Sequence, residues 1–277
     1  MNVTDIIKNL NAVFEKIFKS IEGEIYTVLD GIVDINVDIL QKEPINKIIS
    51  SSGFIIIANS IIFFLIIYYT FTVIISMYNG NKAESIYHII FKLLLITLLV
   101  NSSYYLIEQI LNLNQALTEA TEKLCQGLAQ KEITFENLKE SILNIKDFMK
   151  SDFLSLDGVI KGVLSFGTVT ILINFCLRYV TIIFLIIISP IALCLLFSNL
   201  TKNVFYTWVK MLVTSLLLQV IIKIILVVPL MYKDVNSIMY KIILVGTIYI
   251  IYKLNNFTKE IFSKFSKDEV NKNIFKE

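Results

Sequence analysis

The sequence predicts an all-α polytopic membrane protein: about five transmembrane helices, an amphipathic amino-terminal helix and a helical hairpin outside the bilayer. Three observations lead there. Of 277 residues, 56% are apolar and only 17% are charged, whereas soluble domains carry about a quarter charged residues. Mean hydropathy is +0.71. Apolar runs of about 20 residues, the length that crosses a hydrocarbon core, recur along the chain. The net charge of +2 comes from 25 basic and 23 acidic residues, a balance without the strong basicity of a nucleic-acid-binding domain. A single His (His88) and the dispersed Cys125, Cys176 and Cys194 make neither a metal cluster nor a disulfide framework. No motif supports a Ser-His-Asp site, and no glycine-rich phosphate loop is present, so the expectation is a non-enzyme without cofactor. The opening MNVTDIIKNLNAVFEKIF mixes charge into its apolar residues, unlike a cleavable signal peptide.

Residues 1–53 form the first region, external by expectation. Ile6, Leu10, Val13, Ile17, Ile21, Ile25 and Leu29 recur at spacings of three and four, and Phe14 and Phe18 widen the stripe. Such a helix lies on the membrane or packs against another subunit; its mixed-sign polar face favours a protein partner. Asp34, Asn36 and Asp38 imitate the first ligands of a calcium loop, but Ile39 and Ile45 stand where the loop needs Gly and Glu, which excludes it.

Residues 54–107 supply spans one and two, Phe54 to Met77 without a charge and about His88 to Ile107 with Lys92 near one end, where it can snorkel. Residues 108–158 read as an external hairpin. Leu113, Leu117 and Leu124 mark its first helix; Leu138, Ile142, Ile145 and Met149 mark its second, with Thr134 as N-cap. Residues 159–252 hold spans three to five: roughly Val159 to Ile188, Trp208 to Leu230 and Ser237 to Tyr252. Pro190 ends or kinks span three, leaving Ile191–Phe197 as a continuation or a re-entrant piece. Gly158 and Gly162 form a small-xxx-small pair that permits close helix approach. Trp208, with Tyr206, fits an interfacial anchor. Residues 253–277 form a basic tail.

Basic residues set orientation. Residues 1–53 carry five Lys against eight acids, residues 108–158 five against nine, and the tail six Lys against four acids. Five spans place the basic segments on one side: amino terminus outside, carboxyl terminus in the cytoplasm.

The spans contain no Asp or Glu, the residues that ion-coupled transporters place in the membrane. The charges singled out in them are Lys92, Arg178 and Lys223. A central Arg facing lipid costs roughly 2.5–3.5 kcal/mol, so Arg178 is expected to face protein or water. Asn174 shares its helix face, and Ser215, Gln219 and Lys223 follow one another at spacings of four on the next long span. These five residues make a polar seam that either cross-bonds helices or lines an oligomeric lumen. Cys176 and Cys194 are expected to be inert apolar fillers.

The run from Arg178 to Gln219, RYVTIIFLIIISPIALCLLFSNLTKNVFYTWVKMLVTSLLLQ, resembles the core of the TrbL-type polytopic membrane components of type IV secretion systems. The matching positions are Ser189, Pro190, Ala192, Leu193, Phe205, Trp208, Lys210 and Gln219. The likeness covers about 40 residues and the general plan; the chain lacks the long hydrophilic tail of some members. The resemblance implies a structural or channel subunit of a conjugative or type IV apparatus in the bacterial cytoplasmic membrane. It implies a ring-like homo-oligomer at the base of an external stalk, with stalk protein and cytoplasmic ATPases as partners. Transient contact with transferred DNA or protein belongs to the same expectation, and in a ring the copies of Arg178 would form a positive belt attractive to anionic lipid. Asn199–Asn203 is a docking candidate for the cytoplasmic machinery. A small-solute transporter or permease subunit is the alternative, and a holin-like lytic protein a less economical third.

Overall fold

The computed structural model describes residues 12, 13, 16, 25–79, 86–143, 155–196 and 201–254. No strand occurs among them. Helix α1 covers 25–33 and leads through a 3-10 turn, Val37–Leu40, to α2, Ile45–Ser50. Then come α3 (Gly53–Tyr78), α4 (Ile86–Asn101), α5 (Ser103–Ala129) and α6 (Phe135–Leu143). The last four are α7 (Leu156–Ile187), α8 (Ser189–Cys194), α9 (Lys202–Leu230) and α10, residues 238–254. Among the described residues, α3, α7 and α9 are long and apolar enough to cross a membrane, and the bent pair α4–α5 makes a fourth if it counts as one span. At about 1.5 Å per residue, the 26 residues of α3 exceed the roughly 30 Å of hydrocarbon.

The second expected span is not continuous. Its helix breaks at Ser102 and α5 leaves at 63° to α4. Ser102 Oγ donates to Leu98 O (2.8 Å) and Asn101 Nδ2 to Thr97 O (2.8 Å). Such side-chain back-bonding competes with the helical ladder and bends helices. The fifth expected span falls on α10, helical through Leu254, the last described residue.

Packing divides the chain into two units. The described part of the first comprises residues 12, 13, 16, 25–35, 115–143, 155–179 and 214–254; that of the second comprises 36–79, 86–114, 180–196 and 201–213. In the first unit, Leu29 and Val33 of α1 join Ile133, Leu138, Ile142, Ile171, Ile222 and Leu244 in one apolar core. Phe135 and Phe175 meet edge to face, 6.1 Å apart. α7 and α10 approach closely at Gly167, where an added Cβ would come within 2.5 Å of Ile248 Cγ2. The Gly158–Gly162 pair, expected to mediate such an approach, lines an open apolar groove of about 480 Å³ with Val163 and Phe166. In the second unit, α3, α4 and α8 pack through Ala58, Ile62, Ile96, Val100 and Leu193.

Leu113, Leu117 and Leu124, which mark the first helix of the hairpin, fall on α5 and point outward at 64%, 45% and 74% exposure. The inward face of α5 instead carries Leu111, Asn114, Thr118 and Cys125. Periodicity locates a stripe; here Thr118, on the inward face, accepts from Gln219 Nε2 at 2.8 Å. Thr134 does cap α6, accepting from Asn137 N at 3.1 Å. Of the amino-terminal stripe, Val13 is exposed, Ile25 half-buried and Leu29 buried. Ile6, Leu10, Phe14, Ile17, Phe18 and Ile21 lie outside the described residues, as do Ile145, Met149, Asn199 and Leu200.

A candidate functional site where buried cations meet a broken helix

Helix α1 ends at Val33, and residues 34–36 are non-helical. A helix end leaves carbonyls without intrahelical donors, and this one is buried, with Val33 at 1% and Ile35 at 2% exposure. Three side chains of the predicted polar seam converge on it. Arg178 Nη1 donates to Val33 O at 3.4 Å. Gln219 Oε1 accepts from Ile35 N at 3.1 Å. Lys223 Nζ donates to Asp34 Oδ2 at 2.9 Å. Each helical turn of α9 thus contributes one group, because residues four apart share a face.

The remaining capacity of these groups is used within the same unit. Arg178 Nε donates to the backbone carbonyl of Ser215 at 2.7 Å, and Nη2 to Gln219 Oε1 at 3.4 Å. Gln219 Nε2 donates to Thr118 Oγ1 at 2.8 Å. Lys223 Nζ also reaches Ile133 O at 3.2 Å, and Glu122 Oε1 lies 3.7 Å away. Below this cluster, Asp30 accepts from Phe135 N (2.8 Å) and Glu136 N (3.1 Å), binding α1 to the start of α6. Burial pushes the Asp30 carboxyl above its ordinary range, and those two N–H donors and the Lys223 charge only partly offset it. A further ion pair, Lys241 Nζ to Asp157 Oδ1 at 2.6 Å, joins α10 to the first turn of α7.

Of the five seam residues, four are therefore joined: Arg178, Ser215, Gln219 and Lys223. Ser215 takes part through its carbonyl oxygen. Asn174 is half-buried and no hydrogen bond joins it to Arg178. The acids that meet Lys223 come from segments expected outside the bilayer, Asp34 from the amino-terminal region and Glu122 from the hairpin. Sequence reasoning singled out Asp34 only for a calcium loop. Its ion-pair partner is 189 positions away, beyond the reach of any local pattern.

The second unit holds the other group of predicted residues. Pro190 stands at the start of α8, after a break at Ile188. Proline has no N–H and clashes with the preceding turn, so the last carbonyls of α7 need other donors. Trp208 Nε1 supplies one to Leu185 O at 3.0 Å, and Tyr104 Oη another to Ile187 O at 3.2 Å. Trp208, expected as an interfacial anchor, is thus buried at 8% exposure and caps a helix end; Tyr206 is exposed. Lys210 is half-buried. Cys194 is buried with Sγ 3.3 Å from Ala58 O, whereas Cys176, expected to be buried, faces outward.

No family model, curated protein or solved structure matches this chain.

Proposed function

We propose that the chain is a non-enzymatic, multi-pass membrane subunit of a conjugative or type IV secretion apparatus. One observation carries the reading beyond the resemblance itself. The positions on which the resemblance rests include the buried Ser189, Pro190, Trp208 and Gln219, and two of these, Trp208 and Gln219, are the neutral side chains that close broken helix ends. In this reading several copies assemble in the bacterial cytoplasmic membrane, amino terminus outside and carboxyl terminus inside, with separate ATPases supplying energy. Transferred DNA or protein passes with the help of this assembly, and anionic lipid is a further partner.

Deletion of the gene is expected to abolish mobile-element transfer or effector export without killing the cell. Complementation by Gln219→Ala is expected to be poor, because it removes the contacts to Ile35, Thr118 and Arg178 together. Normal transfer in the deletion strain, with no second copy of the gene, overturns the secretion reading.

One observation favours the alternative of a solute permease. Transporters place substrate and ion sites beside unwound helix segments, and Lys223, Asp34 and Glu122 surround such a segment. Substrate-dependent growth or uptake lost on deletion, with transfer intact, would select that alternative.

A further inference from the structure

Helix α5 carries a polar face that the site above touches only at its edge. Glu108, Asn112, Gln115, Glu119, Lys123 and Gln126 follow at spacings of four, three, four, four and three residues. Residues so spaced share one side of a helix. Asn112, Glu119 and Lys123 are exposed, and Gln115 Nε2 donates to Glu119 Oε1 at 2.9 Å. The charges on this helix are what give it the look of an exterior segment.

Its contacts place it deeper. Within the first unit, Thr118 Oγ1 accepts from Gln219 Nε2 at 2.8 Å, and Glu122 Oε1 lies 3.7 Å from Lys223 Nζ. Both partners advance by one turn, so α5 runs parallel to α9 there. α9 has 29 residues and is apolar enough to cross a membrane. Its middle falls near Leu216, so at about 1.5 Å per residue Gln219 lies roughly 5 Å from mid-membrane. Ile224 and Val228, beyond Lys223, still face outward, so the hydrocarbon extends past that level. Thr118 is thus placed near mid-membrane. The 27 residues of α5 extend for about 40 Å, longer than the roughly 30 Å of hydrocarbon. Ionisable side chains at such depth face protein or water rather than lipid. Exposed Glu119 adjoins Thr118 in the chain and stands at this depth.

We propose that α5 crosses the bilayer beside α9, and that its face from Glu108 to Gln126 borders a water-filled path. The seam residues do not border it, because Arg178 and Gln219 are buried against the end of α1. With α4 and α5 counted as one bent crossing, the two termini stay on opposite sides of the membrane. The inference needs the membrane setting but not the secretion reading, so a normal transfer phenotype on deletion leaves it standing.

Thiol labelling tests it in the full chain, in right-side-out and inside-out membrane vesicles. Cys125, Cys176 and Cys194 are replaced by Ala and one Cys is introduced at a time. The probe is a charged, membrane-impermeant methanethiosulfonate. Gln130→Cys, just past the end of α5, is expected to label from one face of the membrane, and Glu108→Cys from the opposite face. Glu119→Cys should label about tenfold faster than Leu177→Cys on α7 or Ile224→Cys on α9, because apolar surroundings suppress the reactive thiolate. Leu177 and Ile224 are exposed apolar residues of long spans and report contact with lipid. Glu119 and Gln130 are exposed, so their replacement leaves the packing in place. Labelling of Glu108→Cys and Gln130→Cys from the same face only would leave α5 outside the bilayer and overturn the proposal. Glu119→Cys as slow as Leu177→Cys and Ile224→Cys would mean that protein or lipid covers the polar face, which overturns it equally.

Discussion

Two broken helices in this molecule are closed in opposite ways. At the end of α1, charged side chains do the closing: Arg178 and Lys223, with Gln219, bind Val33, Asp34 and Ile35. At the end of α7, neutral side chains do it: Trp208 and Tyr104 bind Leu185 and Ile187. Both arrangements satisfy backbone groups at a helix break, Val33 O and Ile35 N at the first and Leu185 O and Ile187 O at the second. They differ in what remains when a partner is lost. A neutral donor leaves one unsatisfied carbonyl, worth about 1–3 kcal/mol. A carboxylate removed from a buried ion pair leaves an uncompensated charge, worth about 3–5 kcal/mol.

The contrast is sharpest within the Lys223–Asp34 pair, because its members differ in access to water. The Lys223 side chain is 3% exposed and that of Asp34 is 44% exposed. Asp34→Ala strands a buried ammonium with Ile133 O and the more distant Glu122, and is expected to cost about 3 kcal/mol. Lys223→Met leaves a carboxylate that water can solvate, and should cost about 1 kcal/mol. Unfolding of the purified protein in detergent micelles measures both. Equal losses would mean that Asp34 is no more accessible than its partner, and the asymmetry argument fails.

Trp208→Phe probes the neutral end. It keeps most of the apolar ring and removes the Nε1 donor to Leu185 O. The expected loss is about 1 kcal/mol, a third of the Asp34→Ala effect. A loss as large as that of Asp34→Ala would erase the distinction between the two ends.

The same contrast explains what the sequence discloses. The apolar runs of α3, α7 and α9 are visible because lipid-length hydrophobicity is a local property. Arg178, Gln219 and Lys223 stand out because polar residues are rare in such runs. Their binding site is not local: residues 33–35 are distant in sequence and sit in a stretch whose charges suggest an exterior position. The outward direction of the leucine stripe of α5 is hidden for a related reason. Spacing shows that Leu113, Leu117 and Leu124 share a face, but the choice of inward face depends on Thr118, whose partner is Gln219 on another helix. The break at Ser102 is foreshadowed by the Asn101-Ser102-Ser103 triplet, whose side chains can back-bond to the preceding turn.

The smallest expected effect separates the charged cluster from the carboxylate beside it. Asp30 accepts two backbone N–H groups of α6, yet burial raises its proton affinity overall. A carboxyl whose pKa is raised by folding favours the folded state most when protonated. Its contribution is full below the unfolded-chain value near 3.8 and is lost as pH rises through the raised folded value. Asp30→Asn keeps an acceptor oxygen and cannot ionise. The stability of the natural protein relative to this variant should therefore be greatest in acid and decline as pH rises through that window. Thermal unfolding of both proteins between about pH 3.5 and 7 reads the difference. A gap that grows with pH would mean that the N–H donors and Lys223 outweigh burial.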